Sequence, residues 1–150
     1  MRYNLFGGPG IGKSHKAAKM FLNGGVELVQ EFVKPLAYKQ VELEGWDYIR
    51  TFGCQLQREL ELLDYTDIVT DSPLILQAYY AKRNGCPAWF EILDIALLFE
   101  EDHESMNMVL SRNYEYFDIG RFETEAEAIA IDEEIELFLK YHKIDFEVIK

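Results

Sequence analysis

The chain has 150 residues, 49% of them hydrophobic and 28% charged, which suits one compact globular domain that needs no metal or disulfide staple. Its net charge of −12 is uneven, with six Lys/Arg against two acids in residues 1–40 (+4) and nine against 25 in the remainder (−16). An acidic surface disfavours extended DNA or RNA, whereas a small anion in a local basic pocket remains compatible.

In chain order, Arg2–Phe6 reads as a strand that ends in a glycine-rich loop, and Lys13–Leu22 as the helix after it, stopped by Asn23-Gly24-Gly25. Residues 26–32 form a second strand, closed by Pro35. Trp46, Ile49, Gly53, Leu56, Leu60 and Leu63 recur every three or four residues, which predicts a helix over 45–64 with those residues as its buried stripe. Residues 68–71 are a short buried strand. Ser72-Pro73 then predicts an N-cap and a proline in the first turn of a helix reaching about Arg83. Residues 89–101 form another amphipathic helix and 106–111 a fourth strand. The capping box Thr124-Glu125-Ala126-Glu127 starts a long helix to about Tyr141, and residues 146–149 close the chain as a fifth strand. Strands alternating with helices predict an α/β fold with a mainly parallel sheet and right-handed crossovers, whose ligands sit at the carboxyl ends of the strands.

The two cysteines, Cys54 and Cys86, form no CxxC pair and read as reduced thiols of a cytoplasmic protein. No apolar run reaches the roughly 18 residues of a membrane span, and Met1 leads directly into a strand without a visible signal peptide.

The segment GGPGIGKS, residues 7–14, matches GxxxxGK[ST] between a strand and a helix. Glycines there let backbone N–H groups turn inward around phosphates, and the next helix offers its positive end. Gly8, Pro9, Gly10, Ile11, Gly12, Lys13, Ser14 and His15 are therefore the expected nucleotide-binding residues, with ATP as ligand. Lys13 reaches the β and γ phosphates, and Ser14 binds Mg²⁺.

Asp71 ends the third strand in the manner of a Walker B acid and is the second expected Mg²⁺ ligand; capping of the following helix by Asp71 or Ser72 is the alternative. Ser72 stands where hydrolytic ATPases of the AAA type usually place a water-activating Glu, which points away from fast hydrolysis. Glu31, at the end of the second strand, is the expected base for an acceptor hydroxyl, or else a surface acid at a strand end. Arg50, Gln55 and Arg58 are expected either to wall an acceptor pocket or to form a solvated helix face. Arg112 and Arg121 bracket an aromatic segment, residues 112–123, that suits a short lid. There the arginines would stabilise charge on a transferred phosphoryl group, or else pair with the acidic surface. Tyr79, Tyr80, Trp89 and Phe90 read as core. Lys143-Ile144-Asp145 is rejected as a guanine motif because it lacks a leading Asn and precedes a strand.

On GGPGIGKS, Ile68-Val69-Thr70-Asp71-Ser72-Pro73 and the Arg112–Arg121 segment, the chain resembles the P-loop kinases of the nucleoside and nucleotide kinase superfamily. It is similar in particular to small phage-type ATP-binding proteins and to the nicotinamide riboside kinase or deoxynucleoside kinase branch. The resemblance implies a three-layer fold with a five-stranded parallel sheet in the order 2-3-1-4-5, ATP–Mg²⁺ as donor, and Glu31 as the base. The chain departs from that branch where Ser72, not arginine, follows Asp71. The implied activity is phosphoryl transfer to a small nucleoside, nucleotide or related metabolite; a homodimer is left open. A regulatory slow NTPase and a kinase of polynucleotide hydroxyls are the alternatives.

Overall fold

A computed structural model describes residues 1–113 and 123–150. Among them, strands β1 (Arg2–Phe6), β2 (Glu27–Val29), β3 (Ile68–Thr70), β4 (Ser105–Leu110) and β5 (Glu147–Ile149) form one sheet in the order β2-β3-β1-β4-β5. Every neighbouring pair is parallel, as expected. The connections are α1 (Lys13–Leu22), α2 (Lys34–Tyr38), α3 (Asp47–Leu63), α4 (Leu74–Arg83), α5 (Trp89–Asp102) and α6 (Glu125–Tyr141).

The inner strands place apolar residues on both faces, and helices cover both. Leu5, Val69, Met108 and Leu110 pack on one side with Ile11 and with Ala17 of α1. Phe6 and Val109 face the other way, into a larger core built with α3, α4, α5 and α6. The register Leu5↔Met108 and Phe6↔Val109 keeps the two sets apart, since a slip of one residue would exchange the faces. The capping box at Thr124 forms as expected: its side chain accepts from Glu127 N, and the Glu127 carboxylate accepts from Thr124 N.

Several boundaries differ from the sequence-based expectations. The second strand stops at Val29, and Glu31 lies two residues beyond it. Pro35 ends no strand directly; it occupies the first turn of α2, where its missing N–H costs nothing. Ser72 does not cap α4, because Pro73 is the cap residue and Ser72 Oγ instead accepts from Gln77 Nε2.

The largest departure is the buried stripe of α3. Trp46, Ile49 and Leu60 are 68%, 40% and 45% exposed, while Tyr48, Thr51, Phe52, Gln55 and Glu59 are buried. A helix buries polar groups only when partners meet them. Glu59 Oε2 accepts from Arg2 Nε at 3.0 Å and Nη2 at 2.8 Å, and Arg2 Nη1 donates to Glu100 Oε1 at 2.6 Å. One guanidinium thus faces two carboxylates at the amino end of β1. Burial pushes the Glu59 carboxyl up to about 7, with Arg2 opposing that rise and Glu100 adding to it.

Candidate active site

The loop between β1 and α1 has the geometry that its spacing implies. Gly12 precedes α1 with φ of 102°, a left-handed conformation that suits glycine and starts the helix without a side-chain cap. Gly8 is held tightly from another direction: a Cβ there would lie 2.7 Å from Ala128 O and 2.7 Å from Asp132 Oδ1. Lys13 Nζ arches back over the loop, donating to Gly7 O at 2.6 Å and Gly8 O at 3.1 Å.

This loop borders a cavity of about 810 Å³, within the range of small-molecule sites. Pro9, Gly10, Ile11, Gly12, Lys13, Ser14 and His15 line it, together with Asp71 and Glu31. Gly8, Arg50, Gln55, Arg58 and Arg112 are not among its lining residues. The remaining wall comes from Val33, α2 and the chain after it, and from Tyr48, Leu76, Gln77, Tyr80, Asn84 and Glu123. Tyr80 packs against the core as expected and also lines the cavity, whereas Phe90 is half exposed. Burial, and after it Glu123 and Glu31, pushes the Tyr80 phenol well above its usual value. Burial likewise pushes Tyr48 up to about 12. Both phenols stay protonated and can donate hydrogen bonds into the cavity.

Ser14 Oγ donates to Asp71 Oδ2, and Lys34 Nζ donates to Ser14 Oγ at 3.1 Å. The other carboxylate oxygen, Asp71 Oδ1, is buried without a hydrogen-bond partner. An orphaned carboxylate oxygen beside a serine hydroxyl fits a hard divalent cation, since Mg²⁺ takes one or two protein oxygens and fills its shell with phosphate and water. Among the described residues no group of three or more His, Cys, Asp or Glu side chains forms a metal cage. The donor set fits Mg²⁺ carried in on a nucleotide better than a resident metal.

Arg50 lies on the exposed side of α3, 60% exposed and 4.0 Å from Asp47. Gln55 is fully buried: its Oε1 accepts from Phe32 N at 2.9 Å and its Nε2 donates to Thr70 Oγ1 at 3.4 Å. Arg58 Nη1 donates to Gln30 O at 2.9 Å, and its guanidinium lies 5.2 Å from the Phe32 ring centroid. Gln55 and Arg58 thus hold the segment that carries Glu31 instead of facing the cavity.

Arg112 is likewise engaged behind the loop. Its Nε donates to Asp132 Oδ2 at 2.7 Å and its Nη2 to Pro9 O at 2.9 Å, while Asp132 Oδ1 accepts from Gly8 N at 2.6 Å. The expected lid over 112–123 includes Arg121 and residues 114–120 and 122, all outside the described residues. Sequence reasoning missed Asp132 because it stands 124 positions from Gly8, amid the acids of an ordinary helix. It also missed the roles of Thr70 and Gln77, which no local pattern marks, and the bond from Lys34, expected to bias the charge of Glu31, to Ser14.

No protein-family model and no curated protein sequence matches the chain. Among solved structures, NadR protein in complex with NR superposes with a TM-score of 0.78 at 19% identity, over 99% of this chain and 44% of that one. Deoxyadenosine kinase from M. mycoides with bound dATP matches with a TM-score of 0.48 at 16% identity, over 100% of this chain and 90% of that one. The chain therefore spans less than half the length of the NadR chain that it superposes on. The fold is that of the NadR protein, a five-stranded parallel sheet in the order 2-3-1-4-5 covered by helices, the architecture that the sequence resemblance implied. No helix among the described residues is long and apolar enough to cross a membrane.

Proposed function

We propose that this chain is an ATP-dependent kinase that phosphorylates a hydroxyl of a small nucleoside, nucleotide or related metabolite. One observation carries the proposal: a single cavity is lined at once by the phosphate loop, by Asp71 and by Glu31. ATP with Mg²⁺ supplies the phosphoryl donor. Lys13 would leave the Gly7 and Gly8 carbonyls to grip the β and γ phosphates, and Ser14 and Asp71 would hold the metal, which neutralises charge on them. Glu31 takes the proton of the acceptor hydroxyl as its oxygen bonds to phosphorus and the bond to the departing diphosphate breaks.

The residue after Asp71 favours transfer over hydrolysis. The Ser72 hydroxyl accepts from Gln77, and its position carries no carboxylate to activate water. The basic residues among the described lining, Lys13, His15 and Lys34, gather at the loop, whereas the rest of the wall carries Glu31, Glu42, Glu123 and three phenols. That wall suits an acceptor without a phosphate of its own, so a nucleoside fits it better than a nucleotide.

The test is incubation with γ-labelled ATP, Mg²⁺ and a panel of nucleosides and nucleotides. Label on a nucleoside is the expected result. Sustained phosphate release with no labelled acceptor would overturn the proposal in favour of a slow NTPase.

A further inference from the structure

Strands β2 and β3 pair only as far as Val29↔Thr70. Beyond that rung lie the two acids of the site, Glu31 and Asp71, on backbone that the sheet no longer holds. Backbone amides leaving a ladder need other partners. Here one relay of side chains supplies two of them. Phe32 N donates to Gln55 Oε1, Gln55 Nε2 donates to Thr70 Oγ1, and Ser72 N donates to the same Thr70 oxygen at 3.1 Å. Gln55, Thr70 and Ser72 are 0%, 0% and 1% exposed, so water does not compete for these bonds. Each amide belongs to the residue directly after an acid: Phe32 follows Glu31, and Ser72 follows Asp71. Arg58 holds the other flank of Glu31 through Gln30 O.

We propose that Gln55 is a positioning residue: through Thr70 it sets the backbone of Glu31 against that of Asp71, and so fixes the acceptor side of the site relative to the metal side. The amide suits this task because one end must accept and the other donate. A carboxylate in its place would offer only acceptors and bring a buried charge. The long side chain also spans from α3 to both strand ends, which the sheet itself cannot do past its last rung. The proposal rests on Glu31 serving the acceptor, and its test separates the two ideas.

Hydrogen exchange and steady-state kinetics of the whole chain provide that test, with ATP–Mg²⁺ and the nucleoside panel as probes. In Gln55→Leu the amides of Phe32 and Ser72 are expected to exchange at least about tenfold faster, while amides of β1 and β4 keep their protection. Thr70→Val should free Ser72 in the same way, and Thr70→Ser, which keeps the hydroxyl, should restore its protection. For turnover, Gln55→Leu should lower kcat about 10- to 100-fold with KM for ATP unchanged. The double variant Gln55→Leu/Glu31→Gln should lose less than the product of the two single losses, because Gln55 acts in part through Glu31. Unchanged protection of Phe32 and Ser72 in Gln55→Leu overturns the relay whatever the activity. A kcat loss that adds fully to that of Glu31→Gln also overturns it. If Glu31→Gln retains full turnover, the base assignment falls, while the exchange result still decides the relay.

Discussion

Ser14 Oγ donates to one oxygen of Asp71, and the other oxygen of that carboxylate is buried with no partner. A buried anionic oxygen left in this state is costly unless a cation completes it. Asp71→Asn should therefore remove the magnesium-dependent part of nucleotide binding. In thermal-shift titrations, ATP should stabilise the native chain more with Mg²⁺ than with EDTA, and this difference should vanish in the variant. A loss of about 10- to 100-fold in ATP–Mg²⁺ affinity, roughly 1–3 kcal/mol, is expected.

Gly8 leaves no space for a methyl group, because its Cβ would fall 2.7 Å from both Ala128 O and Asp132 Oδ1. One of those atoms is helix backbone and cannot swing aside. Gly8→Ala should cost about 1–3 kcal/mol in urea denaturation and weaken ATP binding by shifting the loop away from α6. Gly24→Ala provides a contrast: nothing lies within 4 Å of its Cβ, although its φ of +83° still strains the backbone.

Asp132 bridges Gly8 N and the Arg112 guanidinium, and both charged side chains are largely buried at 19% and 15% exposure. Removing the carboxylate leaves Arg112 without its counter-charge and Gly8 N without its acceptor. Asp132→Ala should destabilise the fold by about 2–3 kcal/mol, with a coupling of roughly 1–2 kcal/mol to Arg112→Ala in a double-mutant cycle. ATP affinity should fall as well, measured by isothermal titration, although neither Asp132 nor Arg112 lines the cavity.

Glu59 provides a pH test remote from the site. Its carboxyl is raised from 4.5 to about 7 in the folded chain, chiefly by burial. A raised folded value means that the folded state binds the proton more tightly than the unfolded one. The resulting stabilisation is full below about pH 4.5 and is lost as pH rises through about 7. Melting temperature should fall between pH 5 and pH 7.5, and Glu59→Gln, which keeps an acceptor for Arg2 without the titration, should flatten that fall.

The features legible in the sequence were those set by neighbours along the chain. The glycine loop, its position between Arg2–Phe6 and Lys13–Leu22, and the capping box at Thr124 depend on contacts within a few residues, so their spacing shows them directly. The parallel sheet followed from the alternation of strands and helices.

The face of α3 did not follow from that logic. Apolar periodicity assigns the buried stripe to Trp46, Ile49 and Leu60, yet the packed face carries Thr51, Gln55 and Glu59. A polar side chain is buried when a partner elsewhere satisfies it. For Gln55 and Glu59 those partners, Phe32 N, Thr70 and Arg2, lie 23, 15 and 57 positions away, while Thr51 bonds Tyr48 O within the helix. The sequence by itself determined that this chain builds a glycine-rich loop at the carboxyl end of a strand in a parallel sheet, because that loop is local. Only the tertiary structure decided that Gln55 braces Glu31 and that Asp132 with Arg112 braces the loop, because those hydrogen bonds exist only once distant segments meet.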